Sequence, residues 1–339
     1  MCCTSGGNQI ITRLVTHLSG GVRANLSDPN VLRLFPTATD TPELIPLPGP
    51  YDLLNMVHSI GLALVGTEEI IEINSLEHRI WHPCGYRKLY SPDDLSLEPP
   101  ELWGALAHSA EKSGDAESSG VMRHISFALT GMGRRLLNVS DDYGMQLQAA
   151  LAERADRDFR FSNMQVLDLF LDCHAFLTEA CSARDYLARF LAKHVYGGVD
   201  ADSMAMLLKR KKSSSHPIDA ILGPANDRAN PESWMTRMSE YRNIIMHRAP
   251  LNYLGGKNTA IELRFHPWVE GRSLPRILAL IPADPFDAGS GAATDALILL
   301  HSYSANLLHF AAECARYSPY APAVPQFDDN HVISLRGVD

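Results

Sequence analysis

The sequence predicts a mainly α protein: a C-terminal helical bundle with a β-hairpin inserted before its last helix, preceded by a mostly helical N-terminal region. Three observations point there. Residues 163–196 run for thirty-four positions without Gly or Pro, and Leu167, Leu171, Leu177, Cys181, Leu187, Leu191 and Val195 recur in them at helical spacing. A shorter helix is bracketed by Asn230, a good N-cap before Pro231 and Glu232, and by Pro250, which ends it. Between that helix and a last one, Ile261, Leu263 and Phe265 alternate with polar neighbours, and a turn at Gly271 leads into the apolar run 277–281.

The remaining elements follow in chain order. Residues 41–50 hold four prolines and a glycine, which makes them a linker or an extended arm. Leu53, Leu54, Val57, Ile60 and Leu64 carry helical spacing up to a stop at Gly66, and 70–73 is a short strand. A second Pro- and Asp-rich break covers 91–100. Helices follow at 101–112, 122–137 and 146–154, the first two separated by the Gly- and Ser-rich stretch 113–120. The helix at 163–196 would span roughly 50 Å and stop at Gly197 and Gly198. A short helix then closes on Lys209, Arg210, Lys211 and Lys212, followed by three serines, and Thr294 caps a final helix through Tyr317. The division expected is residues 1–155 as an N-terminal region of unknown role, 156–318 as the bundle, and 319–339 as a tail.

Composition narrows the function. The net charge of −9 argues against a surface that is basic throughout, as broad phosphate neutralisation requires, but leaves room for a local basic cleft. The first residues lack the layout of a secretory signal, and the six cysteines (Cys2, Cys3, Cys84, Cys173, Cys181, Cys314) show no framework spacing, so reduced thiols and a cytoplasmic location are expected. His78, His82 and Cys84 have loose metal-ligand spacing but no second pair follows, so neither a metal nor a cofactor is expected.

The polar residues of the helix before Pro250 carry the chemistry. On a helical wheel Trp234, Met238, Tyr241 and Ile245 form the core stripe, while Thr236, Glu240, Asn243 and His247 share the opposite side. Arg242 lies between, roughly 140° from His247. Asn243 stands one turn below His247, where its amide can orient the ring. Arg242 and His247 meet on one phosphate only if the helix end is distorted or two such helices face each other across a two-fold axis. Histidine is the side chain that titrates near neutrality, and can take a proton from a ribose 2′-hydroxyl or give one to the leaving oxygen. Arginine binds a phosphate bidentately as charge builds. Together they suit metal-independent RNA cleavage that leaves a 2′,3′-cyclic phosphate, a reaction closed to DNA.

The run Glu240-Tyr241-Arg242-Asn243-Ile244-Ile245-Met246-His247, late in a helical domain, resembles the signature of HEPN domains, whose motif is Arg, a polar residue, a short spacer and His. The resemblance covers residues 156–318. It implies a homodimer whose two motifs share one cleft, ribonuclease activity of the kind found in toxins and antiviral defence proteins, and an antitoxin or defence-system protein as partner. Carried over by position, Arg242, Asn243 and His247 are the active-site residues. Glu240 is placed to support His247, and Glu179 or Asp185 on the long helix to pair with Arg242. Lys209, Arg210, Lys211 and Lys212 would guide RNA. The same polar face also fits a non-catalytic bundle that binds a nucleotide, RNA or a partner protein. In the ribonuclease reading residues 1–155 would recognise a trigger, an inhibitor or the RNA.

Overall fold

The computed structural model describes residues 3–5, 8–28, 30–37, 41–46, 53–73, 76–83, 97–153, 159–211, 216–230, 233–247, 251, 261–267, 273–287 and 292–324. These residues form a mixed α/β fold with two antiparallel sheets, which corrects the mainly α expectation. The departure is largest in the N-terminal region. There β1 (Cys3–Ser5), β2 (Asn8–Leu18), β3 (Arg23–Asp28), β4 (Val31–Phe35), β5 (Glu43–Pro46), β6 (Leu64–Ile73) and β7 (Leu76–Pro83) build one sheet in the order β5-β4-β3-β2-β6-β7, with β1 also on β2. The helix expected up to Gly66 is confined to α1 (Leu53–Ser59), and the short strand expected at 70–73 is the end of β6.

A physical cause for this misreading lies on the sheet itself. A half-buried strand announces itself by alternating apolar and polar residues. In β2, Thr16, His17 and Leu18 are all buried in succession, and in β6 so are Thr67 and Glu68. Of these, His17 and Glu68 join Arg23 of β3 in a polar cluster against a helix, while Thr16 and Thr67 are buried beside them, so both faces of the strands are buried and the alternation is lost.

That helix is α3 (Ala116–Ala152), continuous over 37 residues where the sequence predicts two helices. Its N-cap Asp115 accepts from Ser118 N at 2.9 Å. The polar run that separated the two predicted helices is spent on the sheet. Arg23 donates to the Ser140 carbonyl at 2.7 Å and to Asp141 at 3.1 Å, and its guanidinium lies over Gly144, where a Cβ would meet Nη2. His17 Nδ1 is 3.1 Å from Ser140 Oγ, and its Nε2 is 3.8 Å from Glu68, which also faces Arg79 at 3.6 Å. Burial holds His17 below its usual range against the pull of Glu68.

The next residue, Asp142, has no such partner. Its Oδ2 is buried without a hydrogen bond, and burial, reinforced by Asp172, Asp168 and Asp141, pushes its carboxyl up to about 7. The folded state therefore binds more protons than the unfolded chain between the ordinary value of 3.8 and about 7. Stability should fall as pH rises across that window, by up to ~1.4 kcal/mol per unit. Asp142→Asn should flatten the slope and be the more stable protein above about pH 7. Urea melts of both proteins across this range check it, and parallel curves would refute it.

The remaining helices are α2 (Pro99–Lys112), α4 (Met164–His194), α5 (Met204–Arg210), α6 (Asp219–Asn226), α7 (Trp234–His247) and α8 (Ala296–Ala315). Helix α4 agrees closely with its reading. Asn163 caps it by accepting from Val166 N at 3.0 Å, and Gly197 and Gly198 follow it with φ of 70° and 80°. Asp295, not Thr294, caps α8, and its Oδ1 accepts a 2.6 Å bond from the buried Tyr143 hydroxyl of α3. The second sheet, β11-β10-β9-β8, extends the expected hairpin. Strands β9 (Ile261–Pro267) and β10 (Ser273–Pro282) are flanked by β8 (Arg160–Phe161) and β11 (Ala293–Asp295). The expected turn at Gly271 lies outside the described residues.

One apolar core joins these parts, from Leu18 and Val22 of the large sheet through Trp103, Phe170, Phe176 and Phe190 to Phe310 of α8. Trp103 packs edge-on to Phe190 with centroids 4.8 Å apart and donates its indole N–H to the Ala311 carbonyl at 3.1 Å. Helices α2 and α3 thus share a core with α4 and α8, on both sides of position 155. No helix among the described residues is long and apolar enough to cross a membrane.

Candidate functional site

Helix α7 carries Arg242, Asn243 and His247, and the small sheet fixes its position. The Tyr241 hydroxyl donates to the Pro282 carbonyl at the end of β10, and Arg237 Nη2 donates to the Ala283 carbonyl at 2.7 Å. On the helical side, the ring centroids of Trp234 and Phe310 are 6.4 Å apart, as are those of Tyr241 and Tyr303. The fully buried stripe is Met235, Met238, Tyr241 and Ile244, while Trp234 and Ile245, expected in the core, are half-buried at its margin. The helix starts at Trp234 rather than at Asn230; Pro231, Glu232 and Pro250 lie outside the described residues.

Against that frame the motif side chains stand apart from the core. Arg242 and Asn243 are half-buried, and His247, the last residue of α7, is exposed. Among the described residues none of the three has a hydrogen-bond or ion-pair partner. Glu240 is half-buried about two turns before His247. The chain beyond the helix is tied back to α4, where Leu251 N donates to His174 Nε2 at 3.2 Å. Burial holds His174 below its usual range, and the bond from Leu251 N makes Nε2 the accepting nitrogen.

The acidic partners proposed for Arg242 are placed elsewhere. Glu179 lies over Gly131 of α3, 3.2 Å from where a Cβ would stand. Asp185 Oδ1 takes Arg184 instead, at 3.0 Å from Nε and 2.8 Å from Nη2. The same oxygen accepts from Met204 N at 3.0 Å, so it also closes the start of α5 beside its N-cap Ser203. The basic segment is partly neutralised. Arg210 pairs with Asp200 at 2.8 Å, and Lys211 pairs with Asp219 at 2.6 Å while lying over the Tyr196 ring. Lys209 is exposed, and Lys212 lies outside the described residues.

A residue that sequence reasoning passed over is Arg184. Its side chain is only 13% exposed, and Nη1 donates to Ser239 Oγ of α7. It joins Asn243 in lining a cavity of about 380 Å³ between α5 and α7. The adjacent pair Arg184-Asp185 on a helix carrying an apolar stripe was the available signal, since a carboxylate beside an arginine is already supplied with a cation.

Cys173, Cys181 and Cys314 are free and buried, and burial raises all three thiols. Among the described residues no group of three His, Cys, Asp or Glu side chains is arranged to hold a metal ion; His78 and His82 lie on β7, and Cys84 falls outside the described residues. Set against known family models, curated proteins and solved structures, the chain matches none.

Proposed function

We propose that this protein is a metal-independent endoribonuclease of the HEPN type, acting as a toxin or antiviral defence effector. The observation that carries the reading is the state of the motif: Arg242 and His247 lie outside the buried stripe of a docked helix and have no hydrogen-bond or ion-pair partner among the described residues. Charged and polar groups that serve the fold are found paired, as Arg23, Arg184 and Arg237 are here.

In this reading the His247 imidazole takes the proton of a ribose 2′-hydroxyl. The 2′-oxygen attacks the adjacent phosphorus, the P–O5′ bond breaks, and the 5′-oxygen leaves with a proton from a protonated imidazole. Arg242 holds a non-bridging phosphate oxygen as its charge grows, which is worth ~10²–10³-fold for a single well-placed donor. Its angular separation from His247 on α7 calls for a second copy of the chain, so that Arg242 of one copy and His247 of the other share a phosphate. The test is incubation of the purified protein in EDTA with an RNA and with DNA of the same sequence. Cleavage of the RNA alone is the expected result. An intact RNA with a well-folded dimer would favour the second reading, a non-catalytic module that binds a nucleotide, RNA or a partner protein through the same face.

A further inference from the structure

The cavity between α5 and α7 has a composition that, Asn243 apart, the cleavage chemistry does not use. Met204 and Leu208 of α5 give it an apolar wall, and Thr236, Ser239 and Asn243 of α7 give it a polar one, with Arg184 of α4 between them. Its volume of about 380 Å³ lies near the lower end of the range for small-molecule sites, ~300–1,000 Å³, so it suits one planar ring rather than an oligomer. A flat heteroaromatic ring needs what these walls supply, apolar contact on its faces and fixed hydrogen-bonding groups at its edge.

The edge groups are held ready. Arg184 is locked by Asp185 and Ser239, and its guanidinium has five N–H groups, so Nη donors remain for a ligand. The Thr236 hydroxyl and the Asn243 amide bond no described residue. Asp185 already neutralises Arg184, so the pocket is poor for a phosphate and better for a neutral base. Arginine reads guanine at O6 and N7, and asparagine reads adenine at N6 and N7; both pairings use N7, which purines alone present. Asn243 is also one turn from His247.

We infer that this pocket binds a purine base and selects the nucleotide beside the scissile phosphate, an inference that rests on the ribonuclease reading. The test uses the full-length His247→Ala protein, which binds without turnover, and short fluorescein-labelled RNAs of purines only or of pyrimidines only. The purine RNA should bind at least about fivefold tighter, the lower end for one good bidentate pair. Ala205→Phe, an exposed lining position whose added ring fills the cavity, should remove that preference, and Thr236→Val should reduce it, with thermal melting confirming the fold. Equal binding of the two RNAs, or a preference that survives Ala205→Phe, would overturn the base pocket even if the wild type cuts RNA. Failure to bind either RNA, with no cleavage by the wild type, would overturn the ribonuclease reading and the pocket with it.

Discussion

Replacement of His247 by alanine is expected to slow RNA cleavage by ~10²–10⁴-fold, the usual contribution of one general acid–base group. The same change should leave the unfolding midpoint nearly where it was. His247 is exposed at the end of α7 and touches none of the groups that dock the helix, which are Tyr241 and Arg237 on the small sheet and Trp234 on α8. Surface substitutions of that kind move stability by no more than ~0.5 kcal/mol. The two readouts together separate a chemical role from a structural one, because a residue needed for folding would lose both. Rates measured on one RNA for wild type and His247→Ala, beside urea melts of each, check the prediction.

The second large effect concerns the interface between the N-terminal sheet and α3. Arg23→Met should cost about 3 kcal/mol or more of folding stability, the scale seen when one member of a buried charge group is removed. Only 8% of Arg23 is exposed, and it is the cation shared by the Ser140 carbonyl, Asp141 and the neighbourhood of Glu68. Its loss would leave Glu68, 3% exposed, facing Arg79 at 3.6 Å and a histidine that burial keeps from charging, among the described residues. Adding Glu68→Gln to Arg23→Met should recover part of the loss, since it removes the stranded charge. Denaturant midpoints of the two single variants and the double variant measure this coupling. Additive losses would show that the two groups act independently.

The same interface explains how much of the fold was legible. The long helix α4, the β9–β10 hairpin and the last helix could be read because each follows one rule without interruption. Helix α4 has a capping asparagine, an apolar stripe and a glycine stop, and the hairpin is an alternating strand followed by a short apolar run. The N-terminal sheet and α3 could not, because both bury polar residues, His17 and Arg23 of the sheet against Ser140 and Asp141 of α3 among them. Thr16, His17, Arg23, Thr67 and Glu68 broke the strand pattern, and the run Asn138 to Gly144 made one helix read as two. Binary patterning assumes that polar means solvent, and here it means a partner at long range in the chain.

The motif helix shows the corresponding limit at the site. Arg242, Asn243 and His247 could be found because their residue types and spacing carry chemistry, and α7 does place them off the buried stripe. Their surroundings could not be found. Spacing along α4 does not tell which neighbour a carboxylate meets, and Asp185 meets Arg184 while Glu179 faces α3. Nor could it show that Arg184 and Asn243 line one cavity, since they come from helices distant in the chain.

The most direct measurement of the central claim is the chemistry of the cut ends. RNA fragments produced by the wild type in EDTA would be treated with acid to open cyclic phosphates, then tested for ligation and for phosphatase sensitivity before and after. Attack by the 2′-oxygen gives 2′,3′-cyclic phosphate and 5′-hydroxyl ends, produced by the wild type and not by His247→Ala. Ends bearing 3′-hydroxyl and 5′-phosphate would contradict it, because water rather than the ribose would then have been the nucleophile.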